Sequence, residues 1–212
     1  MTELILVRHG VTAWNKARRF QGQIDIPLDE EGHQQARLAA QRLAREPIDA
    51  VYASDLGRAW QTGEAIATAL ALRPRSEPGL RERSYGSFEG RTFDEIQREL
   101  PDEYARWQAR DPVFCPGGIG ESLEQLHARV SAALEAIVRS HPAGRVVAVT
   151  HGGVLDCAYR IATGLPMRAP RGHDLLNASL NRIAWDGQVF RLVVWADVDH
   201  LTGAIDDVDA RV

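Results

Sequence analysis

The run Leu4-Ile5-Leu6-Val7, followed at once by Arg8-His9-Gly10 and then by Val11-Thr12-Ala13-Trp14-Asn15, decides how the chain folds. Four aliphatic residues in succession, with no polar alternation, are the pattern of a strand covered on both faces inside a mainly parallel sheet. In open α/β sheets ligands gather at the carboxyl ends of such strands, so the residues after Val7 are candidates for chemistry. Arg8 presents a planar fork of donors matched to a phosphate. The His9 imidazole can act as a nucleophile, and Gly10 lets the backbone approach a ligand closely. The tripeptide would serve equally as a loop with an incidental histidine, so its weight depends on whether the pattern returns.

It returns at Arg145-Val146-Val147-Ala148-Val149-Thr150, a second apolar run that ends in His151-Gly152-Gly153 and enters a helix over Val154 to Thr163. That brings a second imidazole and a set of unpaired backbone donors to the same edge. Between the two runs, Ala50-Val51-Tyr52-Ala53 reads as a short strand whose Ser54 or Asp55 caps a helix carrying Arg58 in its first turn. Asp29 reads as the N-cap of a helix with Ala36, Leu38, Ala39 and Leu43 on one face. Leu123, Leu126, Val130, Leu134 and Ile137 recur at helical spacing. Asp186-Gly187, flanked by Leu180–Trp185 and Val189–Trp195, is a type I′ hairpin signal and therefore adds an antiparallel pair. The expected fold is α/β: a three-layer sandwich with a mainly parallel mixed sheet and helices on both faces. Spacing alone leaves Arg58 a surface residue and Glu82, between Arg81 and Arg83, part of a surface ion-pair cluster.

With 212 residues, 44% of them hydrophobic, and no linker-like stretch, the chain is expected to form one domain over residues 1–212. A net charge of -4 supplies no general field for nucleic acid or an anionic membrane, so an anion site has to be built locally. No apolar stretch approaches a membrane span and no secretory leader opens the chain, which reads as cytoplasmic. Cys115 and Cys157 have no metal-ligand spacing, and Cys157 reads as a core residue of a helix. Thr92–Leu100 and Asp102–Arg110 are two helices separated by Pro101.

Taken together, these motifs resemble the histidine phosphatase superfamily, the phosphoglycerate mutase-like proteins. The family opening Arg-His-Gly-x-Thr-x-x-Asn is matched by Arg8, His9, Gly10, Thr12 and Asn15, and a following Gln-Gly by Gln21-Gly22. Its second arginine is matched by Arg58, its acid by Glu82 in Leu80-Arg81-Glu82-Arg83-Ser84-Tyr85-Gly86, and its second histidine by His151. The resemblance runs from the first strand to Trp195. It implies a metal-independent phosphomonoester hydrolase without a cofactor that acts on small phosphorylated metabolites through a phosphohistidine. His9 would be the nucleophile, Glu82 the proton donor and acceptor, and Arg8, Arg58 and His151 the remaining catalytic groups. Asn15, Thr12, Gln21, Gly22, Tyr85 and Gly152 would bind substrate, under a small helical cap inserted at about residues 92–120. No metal is implied; a zinc site built from His9, His151 and Glu82 lacks close ligand spacing and would face two arginines.

Two alternatives accompany this reading: a cofactor-dependent phosphoglycerate mutase and a non-catalytic phospholigand-binding module. Mutases of the family carry adjacent arginines between the acid and the second histidine, whereas Arg98, Arg106 and Arg110 are separated here. Pro116-Gly117-Gly118-Ile119-Gly120-Glu121-Ser122, followed by Arg129, resembles the Pro-Gly-Gly-Glu-Ser segment of the phosphatase branch with two residues interposed. Ser84 stands where mutases usually have histidine. A homodimer is one assembly such a chain could form.

Overall fold

The computed structural model describes residues 1–201. Strands β1 (Thr2–Arg8), β2 (Ala50–Ala53), β3 (Pro74–Ser76), β4 (Arg145–Thr150), β5 (Leu180–Trp185) and β6 (Phe190–Asp197) form one sheet. The helices are α1 (Ala13–Lys16), α2 (Glu30–Leu43), α3 (Gly57–Ala69), α4 (Phe93–Glu99), α5 (Pro101–Gln108), α6 (Leu123–Arg139) and α7 (Gly152–Thr163). The sheet order is β3-β2-β4-β1-β5-β6, with β1 to β4 mutually parallel and β5 and β6 antiparallel. The mainly parallel mixed sheet read from the sequence is the one observed.

Alternation along the two central strands explains why Leu4–Val7 and Val146–Val149 are apolar without interruption. Leu4 and Leu6 of β1 join Val146 and Ala148 of β4 in a core with α6 and α7. Ile5 and Val7 join Val147 and Val149 in a second core with α2 and α3. Both sheet faces are thus dry, and the ladder pairing Arg8 with Thr150 brings the two strand ends level. A third cluster, Phe20, Phe88, Phe93, Ile96 and Phe114, lies apart from both cores, with Tyr104 and Trp107 against it. It gathers α4 and α5 over the carboxyl edge of the sheet. Among the described residues no helix is long and apolar enough to cross a membrane.

Several local expectations are corrected. The β5–β6 connection is not a two-residue type I′ turn. Residues 186–189 form the loop, only Gly187 among them has positive φ, and the Asp186 carboxylate accepts from the Gln188 and Val189 amides at 2.9 Å. Two successive positive-φ residues would be required for type I′. The N-cap of α3 is Leu56, without a side-chain cap, because Ser54 and Asp55 are engaged elsewhere; Asp25 Oδ1 accepts from the Gly57 amide instead. The room that Gly10 leaves is taken by α2. A Cβ there would strike the Gly32 carbonyl, so its close approach is to the first turn of α2. Asp29 caps α2 as expected.

Candidate active site

The end of β1 presents His9 with its ring orientation already chosen. Nδ1 lies 2.7 Å from the Gly10 carbonyl, which can only accept, so Nδ1 carries the proton and Nε2 keeps its lone pair. The His9 amide donates to Thr150 O, and Asn177 Nδ2 donates to the His9 carbonyl at 2.9 Å. Burial, then the Arg58 and Arg8 charges, push the imidazole well below its ordinary pKa. His151, at the end of β4, is fully buried, with its ring centroid 5.1 Å from that of His9. Its Nε2 lies 2.9 Å from Ser54 Oγ, while Nδ1 is buried without a hydrogen-bond partner. Burial and Arg58 lower this pKa too, so both rings are neutral at ordinary pH.

Two guanidinium groups face these rings. Arg8 Nη1 donates to the Leu175 carbonyl. Arg58 is fully buried in the first turn of α3, and donates through Nη1 and Nη2 to the Ile24 and Gly22 carbonyls at 3.0 and 2.7 Å. Burial pushes Arg58 down to about 10, opposed by the charge of Glu82; its Nε has no partner. A buried cation with an open donor is an anion site in waiting.

Glu82 is buried rather than part of a surface cluster, since Arg81 pairs with Asp55 and Arg83 donates to the Glu121 and Phe114 carbonyls. Its carboxyl accepts from the Arg83 amide at 2.7 Å and the Gly153 amide at 3.1 Å. Burial raises its pKa above the ordinary carboxylate value, partly offset by those amides and by Arg58 and Arg8. Gly153 must be glycine here, because a Cβ would strike Glu82 Oε1. Arg8, His9, Asn15, Gln21, Gly22, Arg58, Glu82, Tyr85 and Gly152 line one cavity of about 330 Å³. The His151 ring lies beside that of His9, and His151 is not among the residues that line the cavity. Thr12 does not line it either; it caps α1 and its hydroxyl donates to Gln21 Oε1 at 2.9 Å, so its task is to hold Asn15 and Gln21. No group of three or more His, Cys, Asp or Glu among the described residues forms a metal-binding cluster.

The family model described as the histidine phosphatase superfamily, branch 1, matches residues 4–198. The chain belongs to the histidine phosphatase superfamily. Among its relatives, a metal-independent phosphoserine phosphatase of Arabidopsis thaliana is 42% identical over 95% of this chain and 84% of its own length. Phosphoglycerate mutase-like protein 4 of the same plant is 39% identical over 94% and 86%. The solved structure of Bacillus stearothermophilus YhfR superposes with a TM-score of 0.86 at 34% identity, covering 94% of this chain and 99% of that one.

For a member of this superfamily, several supporting residues escaped the sequence reading. Ser54 had the signature of a helix cap but instead meets His151. Asn177 and Leu175, which hold His9 and Arg8, sit in a loop with no motif. Arg129 donates to the Gly79 and Arg81 carbonyls and pairs with Glu121, so it clamps the segment carrying Glu82. The Pro-Gly-Gly-type segment was the available signal for that clamp.

Proposed function

We propose that the chain is a metal-independent phosphomonoester hydrolase that works through a phosphohistidine on small phosphorylated metabolites. The observation that carries this reading is the neutral His9, with Nδ1 held by Gly10 O and Nε2 free, beside a buried carboxyl whose pKa is raised. The Nε2 lone pair attacks phosphorus and the ester P–O bond breaks as Glu82 delivers its proton to the leaving oxygen. Positive charge developing on the ring is met by the Gly10 carbonyl. Water then attacks the phosphoryl group, Glu82 takes its proton, and the P–N bond breaks to release phosphate and restore His9. Arg8, Arg58, Asn15 and the Gly152 amide would hold the equatorial oxygens. Ser54 would donate to Nε2 of His151, leaving the unpartnered Nδ1–H for a phosphate oxygen.

A mutase is the second reading, favoured by the relative whose name describes it as mutase-like and by Tyr85 in the cavity wall. Against it, Arg98 pairs with Glu99, Arg106 with Asp111, and Arg110 with Asp156, so the separated arginines are already engaged. Phosphate release should be screened over phosphorylated metabolites, including 3-phosphoglycerate with 2,3-bisphosphoglycerate. We expect hydrolysis that EDTA leaves intact and vanadate inhibits, and an acid-labile, base-stable phosphoenzyme that His9→Ala lacks. Full turnover by that variant would remove the nucleophile assignment, and phosphoglycerate isomerisation without phosphate release would establish the mutase.

A further inference from the structure

The catalytic groups occupy the floor of the cavity, and its walls are of another character. Eight arginines line it, against one glutamate and one aspartate, in a chain whose net charge is -4. A phosphate dianion on Arg8 and Arg58 does not account for that surplus. The other arginines fall into two groups. Arg19 donates to Gly90 O and lies 3.4 Å from Glu95, Arg83 is held by backbone carbonyls, Arg110 pairs with Asp156 at 2.6 Å, and Arg171 donates to the His173 carbonyl. Arg18 and Arg168 are exposed at the mouth, and neither has a carboxylate within ion-pair distance among the described residues.

Arg18 is placed beside an aromatic wall. Its guanidinium lies 5.6 Å from the Phe93 ring centroid, and Phe93 is stacked with Trp107 at 5.7 Å and an interplanar angle of 29°. Trp14, Phe93 and Trp107 all line the cavity. Such a surface favours a flat, weakly polar body, because ring faces stack on it and lose no hydrogen bonds in doing so.

We propose that the preferred substrate is a phosphomonoester with a planar, apolar body and a second acidic group, the body lying on Trp14, Phe93 and Trp107 and the acid received by Arg18 and Arg168. This rests on the phosphatase reading and specifies the substrate class for that site. The two arginines are specificity-determining rather than catalytic, since they are exposed whereas Arg8, His9, Arg58 and Glu82 are buried.

The test compares two aryl phosphates built on one phenol skeleton, 4-carboxyphenyl phosphate and its carboxamide. We expect the carboxylate to be preferred by about tenfold in kcat/KM, the scale of one charge-assisted contact. In Arg18→Ala/Arg168→Ala that ratio should fall to about one. Dissociation constants of both esters for the His9→Ala protein, with and without the arginine substitutions, provide the same ratio without turnover. A ratio near one in the unaltered protein, or a ratio that survives the double substitution, overturns the proposal and leaves the phosphatase reading standing. Absence of hydrolysis with either ester would overturn the phosphatase reading, and the binding ratio would still decide whether the mouth selects a second acid.

Discussion

At the scale of single residues, burial moves the pKa values of two neighbouring groups in opposite directions, His9 down and Glu82 up. His9 is kept neutral by burial and by Arg58 and Arg8, which preserves its lone pair for the proposed attack on phosphorus. Glu82 is pushed the other way by burial, and the incoming phosphate adds negative charge that favours its proton further. Removing the proton should therefore matter most when the leaving group cannot depart alone. We expect Glu82→Gln to lose about a hundredfold in kcat on an alkyl phosphate and much less on p-nitrophenyl phosphate. Equal losses on both esters, measured side by side, would leave Glu82 as a group that merely orients an arginine.

At the scale of elements, the first turn of α2 is fitted against the loop after β1 at two glycines. A Cβ on Gly32 would strike the Val11 carbonyl, just as one on Gly10 would strike Gly32. Alanine ordinarily strengthens a helix by about 1 kcal/mol over glycine. Here we expect Gly32→Ala to destabilise the protein by about 1–3 kcal/mol, as overpacking does, and to lower activity with it by displacing His9; a urea midpoint equal to or above that of the unaltered chain would contradict this. The same elements show how much the sequence disclosed. β1 and β4 were legible because burial on both faces leaves Leu4–Val7 and Val146–Val149 without a polar residue, and Arg8, His9, Arg58, Glu82 and His151 were legible through a family resemblance that local spacing could not replace. Burial of Glu82 and Arg58 was not: each is set by partners such as Gly153 and Gly22 that only the tertiary fold brings near. The α3 cap differs for the same reason, since Ser54 accepts from the amide of the N-cap Leu56 rather than from the first turn and also hydrogen-bonds across to His151, 97 residues on.

At the scale of the whole molecule, the buried titratable groups make stability depend on pH in opposite directions. His9 and His151 have folded-state values below the ordinary 6.5, so in acid the unfolded chain takes up protons that the folded one refuses. Their contribution is present above about pH 6.5 and is lost as pH falls, by up to about 1.4 kcal/mol per pH unit for each ring. Glu82 has a folded-state value above 4.5, so its contribution is present below that value and is lost as pH rises through the folded one. Thermal melts should show Tm falling between about pH 6.5 and about pH 5. Glu82→Gln should gain on the unaltered protein as pH rises from about 5 to about 7. A Tm difference between them that ignores pH would mean that Glu82 ionises as freely folded as unfolded.

The sheet order has a consequence for how the chain is made. β1 leaves the ribosome ahead of the other five strands, yet its two neighbours are β4, beginning at Arg145, and β5, beginning at Leu180. A strand with four consecutive aliphatic residues therefore waits with both edges unpaired until β4 and β5 have been made, the condition in which nascent chains associate wrongly. His9 is translated more than 140 residues ahead of His151, and the pocket around it closes only once that later chain has been made.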